Sequence, residues 1–270
     1  MEFLTPEKKM KIKKKKKNAC RLKRFFRKIF RKAVFTSAII VAGGSSTRFG
    51  GQTPKQFLFL AGMPVVVHTL LAFEKSSLID EIVVVCRPGE ENLYRELADR
   101  YAVTKFRKAV EGGDTRQRSA LRGVEATDTK ARYVLIHDAA RPLVREETIR
   151  DVALAAHDHR AACAATPCRD TVKIVSEDGF IERTEERSHV YLAATPQGFY
   201  KPLYLACALS AEKEKIEVTD DASLLEAYHY PVRIVDCGGP NGKITTPEDL
   251  FAAEALFQKA AGAREDKEEK

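Results

Sequence analysis

Short apolar runs alternate along this chain with segments of helical character, and that alternation restricts the fold more than any other feature. Residues 38–42, 81–86, 133–137, 161–166 and 232–237 are rich in Ala, Val and Ile and too short for buried helices. Such runs read as strands covered on both faces, as in a parallel sheet. Residues 64–73, 90–101, 146–160 and 199–210 have helical patterning, and a further helix opens near Thr219-Asp220, both good caps. Strands alternating with helices predict an α/β fold: a three-layer α/β/α domain on a mostly parallel sheet. Residues 169–176 and 180–185 break the rhythm. They flank Asp178-Gly179 and read as an inserted β-hairpin arm within about 168–190.

The first strand runs into Gly43-Gly44-Ser45-Ser46-Thr47-Arg48 and, a few residues on, Pro54-Lys55-Gln56. Glycines without a Cβ let backbone N–H groups approach a phosphate chain and take positive φ. Arg48 and Lys55 add charge suited to a phosphoryl transition state. The P-loop pattern, ending in Gly-Lys-Ser/Thr, is absent, and so is the Gly-x-Gly-x-x-Gly dinucleotide fingerprint.

Further polar motifs follow strand ends. Glu111-Gly112-Gly113-Asp114-Thr115-Arg116 opens a helix that Asp114 or Thr115 can cap, leaving free N–H groups at its start. His137-Asp138-Ala139-Ala140-Arg141-Pro142 closes the strand at 133–137. Ligands in open α/β sheets bind at such carboxyl ends, so Asp138 is a candidate for a ribose, a metal or an acceptor hydroxyl, with Arg141 as its ion-pair partner or a direct contact. Thr195-Pro196-Gln197 reads as a turn near the site. Asn241-Gly242-Lys243-Ile244-Thr245 leads into a capped helix beginning Thr246-Pro247-Glu248-Asp249. Thr219 and Asp220 are read as caps, with a metal role for the paired acids Asp220-Asp221 as the alternative.

Taken together these motifs resemble the sugar-nucleotide-type nucleotidyltransferases, and more closely the 2-C-methyl-D-erythritol 4-phosphate cytidylyltransferases of the non-mevalonate isoprenoid pathway, over about residues 37–258. The resemblance implies a Rossmann-like nucleotidyltransferase domain that transfers a cytidylyl group from CTP to the methylerythritol phosphate. It implies that Arg48 and Lys55 stabilise the transition state, and that Arg187 and Lys243 hold the acceptor phosphate. Ala42, Gly43, Gly44, Ser46, Gly113, Asp114, Ser119 and Ala139 would bind the nucleotide, and Asp138, Arg141 and Thr171 the acceptor. The hairpin would embrace a second subunit, making a homodimer in which Thr171 and Arg187 cross to the neighbour's site. Lys173 and Arg183 are expected to be solvated. Mg²⁺ is expected on the CTP phosphates, with no residue assigned as a metal ligand. Ser46 stands where the family usually has glycine. The ribitol 5-phosphate cytidylyltransferases, a related family, more often carry other residues at Ala139 and Ala140, which favours the methylerythritol reading.

Charge bears on a further alternative, a non-enzymatic binding protein. The 270 residues carry a net +8. Residues 1–35 hold 15 Lys and Arg against 2 acids, which leaves 31 bases and 36 acids for the rest. The body is therefore mildly acidic, which argues against nucleic acid binding by the core. The basic segment is read as a disordered extension ahead of a domain at 36–262 and a charged, fraying tail at 263–270. Contact of the extension with a membrane or RNA, as in a non-enzymatic binding protein, is that alternative. The six cysteines form no Cys-x-x-Cys pair, and no secretory pattern precedes the domain, so reduced thiols in the cytoplasm are expected.

Overall fold

The computed structural model describes residues 34–44 and 54–268. Ser46, Arg48 and nearly all of the basic extension lie outside the described residues. Among the described residues, seven strands form one sheet: β1 (Thr36–Val41), β4 (Glu81–Cys86), β5 (Phe106–Glu111), β6 (Tyr133–Asp138), β7 (Ala161–Pro167), β10 (Tyr191–Tyr200) and β11 (Arg233–Asp236). Two small hairpins account for the remaining strands, β2 (Phe59–Leu60) with β3 (Met63–Pro64), and β8 (Lys173–Val175) with β9 (Ile181–Thr184). The helices are α1 (Val65–Lys75), α2 (Glu91–Arg100), α3 (Arg116–Glu125), α4 (Glu146–His159), α5 (Lys201–Glu214), α6 (Asp221–Ala227) and α7 (Pro247–Glu268). No described helix is long and apolar enough to cross a membrane.

The sheet order is β11-β7-β10-β6-β1-β4-β5. All pairings are parallel except those of β10, which runs antiparallel to both β6 and β7. The chain steps outward from β1 to β4 and β5, then returns to the other side of β1 with β6. That reversal opens a crevice beyond the carboxyl ends of β1 and β6, where Val41 pairs with Asp138. Period-two alternation divides the core. Ala38 and Ile40 face the layer holding Val66, Leu70, Phe73 and Val152, while Ile39 faces Ala120, Val124, Tyr204 and Leu224.

Four sequence expectations change. Thr195-Pro196-Gln197 is no turn; it lies inside β10, with a cis Thr195–Pro196 bond. The register of β10 on β7 shifts between Ala193 and Gln197, and at such an irregularity a proline without an N–H is tolerated. The helix expected from residue 199 begins at Lys201, because Phe199 and Tyr200 still pair with β6 and Pro202 occupies the first turn. The last strand is an edge strand: β11 pairs only with β7, and Ile234 remains 41% exposed. At the chain's end, α7 continues to Glu268, through the segment assigned as a tail.

Gly123 allows α3 to lie close on the sheet. A Cβ there would collide with Ile39 Cγ2 and sit 2.6 Å from Val85 Cγ2, both stiff, buried β-branched side chains. Gly123→Val is expected to destabilise the domain by about 1–3 kcal/mol through overpacking. Urea unfolding checks this, and an unchanged midpoint would show that α3 does not depend on this close approach.

Candidate active site

β1 ends at Val41, and Ala42 continues its ladder by donating its N–H to Val85 O at 2.7 Å. Gly43 and Gly44 follow. Neither has positive φ, contrary to expectation, and a Cβ on Gly44 would meet nothing within 4 Å. Neither backbone torsion nor packing within the chain therefore requires glycine at these two positions, and without side chains they leave the end of β1 uncovered. Across the mouth, Gln56 is buried and donates Nε2–H to Ala42 O at 3.0 Å, so Lys55 beside it is tied to the end of β1.

The second wall is the start of α3. Thr115 caps the helix by accepting from Arg118 N–H, and Asp114 instead pairs with Arg118 at 2.7 Å on the surface. The buried Ser119 Oγ accepts from Gly113 N–H at 3.0 Å and lies 2.8 Å from Thr115 O, folding the glycine turn back onto the helix. A Cβ on Gly113 would come within 2.5 Å of Arg118 Cβ, which explains that glycine by close packing.

The floor is Asp138, at the end of β6. Its carboxylate meets three cations: Lys243 Nζ at 3.0 Å, Arg141 Nε at 3.2 Å and Arg116 Nε at 3.5 Å. Burial alone would raise its pKa; these cations outweigh burial and hold it well below the usual carboxylate range. Arg116 also reaches Asp221 at 2.7 Å, and Tyr204 donates its hydroxyl to the same carboxylate at 2.8 Å. Ala139 is fixed by its N–H on Val41 O and by Thr69 Oγ1 donating to its carbonyl.

These walls enclose a cavity of about 320 Å³. It brings together Ala42, Gly43, Gly44 and Lys55 from the first wall, and Gly113, Asp114 and Ser119 from the second. Asp138, Ala139 and Lys243 complete it, while Arg141 braces Asp138 from the side. Thr171 and Arg187 do not join them. Both are exposed on the arm, where Arg187 Nη1 donates to Arg169 O at 2.8 Å. Lys173 and Arg183 are exposed there too, bonded to Thr184 and Glu185. Asp220 caps α6 by accepting from Ser223 N–H, and Gln197 Nε2 donates to its other oxygen.

Arg116 also lines the cavity, although its motif did not single it out as a candidate. The signal was its position: a cation in the first turn of a helix opposes the dipole and needs a local anion to hold it. Here it has two, Asp138 and Asp221.

A glycine-lined cavity at the topological switch point of an α/β/α sheet, with more cations than carboxylates around it, defines a nucleotidyltransferase. The comparisons give the particular kind. The family described as 2-C-methyl-D-erythritol 4-phosphate cytidylyltransferase matches residues 36–259, and the chain belongs to that family. It is 42% identical to the enzyme of that name from Pelotomaculum thermopropionicum, over 84% of this chain and 95% of the relative. The structure of 4-diphosphocytidyl-2C-methyl-D-erythritol synthase from Anaerococcus prevotii superimposes with a TM-score of 0.74 at 33% identity, covering 83% of this chain and 96% of that one. The Thermus thermophilus cytidylyltransferase gives 0.67 at 32% identity, covering 83% and 99%.

Proposed function

We propose that this chain transfers the cytidylyl group of CTP to 2-C-methyl-D-erythritol 4-phosphate, giving 4-diphosphocytidyl-2-C-methyl-D-erythritol and pyrophosphate in isoprenoid precursor biosynthesis. The observation that carries this reading is the cavity itself, where Lys55, Arg116 and Lys243 converge above a glycine-bordered strand end. An acceptor phosphate oxygen attacks the α-phosphorus of CTP, and the bond from that phosphorus to the bridging oxygen breaks as pyrophosphate leaves. A phosphate monoester is already anionic at neutral pH, so no general base is required. Asp138 is unsuited to that role, since both its oxygens face cations. Its work is to hold Arg141 and Lys243 in place. Lys55 and Arg48 stabilise charge at the α-phosphate, and the chain's remaining task is to bring two anions together in line. The nucleotide lies along Ala42, Gly43 and Gly44, with its base and ribose at Gly113, Asp114, Ser119 and Ala139.

Among the described residues no group of three or more His, Cys, Asp or Glu side chains is assembled to hold a metal ion. Mg²⁺ enters on the phosphates of CTP, since this ion takes most of its octahedral shell from phosphate oxygens and water. The five described cysteines are free thiols, which suits the cytoplasm.

The partner is a second copy of this chain. The arm is a two-stranded hairpin that leaves Val175, Phe180 and Ile181 exposed, and isolated hairpins of that kind are marginal in water. Arm exchange brings Thr171 and Arg187 to the neighbour's acceptor phosphate. Lys55→Ala and Arg187→Ala proteins, each inactive alone, are therefore expected to regain part of their turnover when mixed and allowed to exchange subunits. Heterodimers without recovery would rule out the shared site. The reaction is checked by phosphorus NMR of CTP and the methylerythritol phosphate with enzyme. Equal amounts of free pyrophosphate and a new diphosphate-linked product are expected; release of CMP or inorganic phosphate instead would overturn the assignment.

A further inference from the structure

We infer that His137 is a positioning residue for this reaction: held uncharged with its proton on Nε2, it closes a ring of hydrogen bonds that sets Arg141 and Lys243 around Asp138. The inference rests on the reading of Lys243 as the residue that holds the acceptor phosphate.

His137 lies fully buried beside Asp138 on β6, its ring 5.1 Å from that of Phe73 on α1. Period-two geometry turns it to the opposite face of the sheet from the Asp138 carboxylate. Its hydrogen bonds have only one consistent direction. Arg141 O, 3.2 Å from Nε2, can only accept, so Nε2 carries the proton. Asp138 donates its N–H to Thr195 Oγ1 at 3.1 Å. The Thr195 hydroxyl then gives its own proton to His137 Nδ1, 2.9 Å away. An imidazolium would present a second N–H to Thr195 and strand the hydroxyl proton in a buried site. Burial pushes the imidazole pKa down to about 3. Asp138 pulls the other way, while Arg141 and Lys243 add to the depression.

The ring closes through the acceptor loop. Thr195 O accepts from Asn241 Nδ2 at 2.7 Å, and Asn241 O accepts from Arg141 Nη1 at 2.8 Å. His137, Thr195, Asn241 and Arg141 thus bond in a circuit, and Lys243 follows Asn241 by two residues. Ile244 N–H donates to Ala140 O at 2.8 Å and fixes the far side of that lysine. Removing the imidazole opens the circuit at two points, one on Arg141 and one on Thr195.

His137→Phe keeps the ring and its packing on Phe73 but removes both nitrogens. It is expected to raise KM for the methylerythritol phosphate about 10- to 100-fold, as displacement of a substrate-holding group does. KM for CTP should stay within about twofold, since the nucleotide contacts lie outside the circuit. His137→Gln, which restores the donor to Arg141 O, should recover part of the loss. A merely structural histidine would lower the active fraction and leave both KM values unchanged, and that result overturns the inference. In a Lys243→Ala background the His137→Phe effect should vanish; an additive effect overturns it as well. If Lys243→Ala alone leaves acceptor KM unchanged, the reading of Lys243 fails and the inference falls with it; that outcome is separate from a failure of His137 alone. The ring arrangement has its own check. Nitrogen-15 NMR of histidine-labelled wild-type protein should show one neutral, Nε2-protonated imidazole unchanged across about pH 5 to 8; an imidazolium or an Nδ1-protonated form there overturns it.

Discussion

Lys55→Ala is expected to fold as the wild type does and to lose turnover by about 10²- to 10³-fold, the usual cost of removing one group aimed at developing transition-state charge. Lys55 lines the cavity at the mouth of the glycine turn and is only half-buried. Its removal opens no core, so the urea midpoint should change by no more than about 0.5 kcal/mol in stability. The fall should appear in kcat at saturating CTP, because the charge it meets grows as pyrophosphate departs. Normal turnover in a folded Lys55→Ala enzyme would remove Lys55 from the catalytic set. Arg48→Ala should show the same pattern.

Asp138→Asn is expected to lose both stability and turnover. The amide has the shape of the carboxylate without its charge, so Lys243, Arg141 and Arg116 are left to repel one another. The expected cost is about 2 kcal/mol, below the ~3–5 kcal/mol of a fully buried broken pair. The discount reflects the 35% and 30% side-chain exposure of Lys243 and Arg116. Turnover should fall by at least about 10², since Lys243 loses the anion that aims it. The pH dependence has a definite sign. Asp138 is held below its unfolded value, near about 3.9, so its contribution is present above that pH and lost as pH falls through the folded pKa. The stability of Asp138→Asn should therefore fall less steeply than that of the wild type below about pH 4. Parallel acid-side slopes for the two proteins would mean that the three cations do not set the ionisation of Asp138.

Much of the architecture could be read from local pattern. β4 and β6 are continuous runs of Val, Ile and Leu, because strands buried on both faces have no reason to alternate. β10 escaped because its centre, Ala193-Ala194-Thr195-Pro196, is small residues and a proline. Only the bulge on β7 makes room for the missing N–H, and a bulge depends on the partner strand. The site divides in the same way. Gly43, Lys55, Asp138 and Lys243 stand in compact motifs at strand ends, where α/β sheets put ligands. Arg116 stood in such a motif too, but its two anions are 22 and 105 residues further on, beyond any spacing rule. The circuit through His137, Thr195 and Asn241 likewise joins the end of β6, the middle of β10 and the loop after β11, which only the sheet order makes neighbours. Gly43 and Gly44 show the converse: they stand out in the sequence, yet neither takes positive φ and a Cβ on either would meet no close contact within the chain.

The most direct test of the account is the initial rate of pyrophosphate release from CTP and Mg²⁺, with 2-C-methyl-D-erythritol 4-phosphate and ribitol 5-phosphate supplied in parallel. Turnover is expected with the methylerythritol phosphate and none with the ribitol phosphate. Turnover with ribitol 5-phosphate alone would leave the cavity and its cations as they are, and would contradict the assignment of the acceptor.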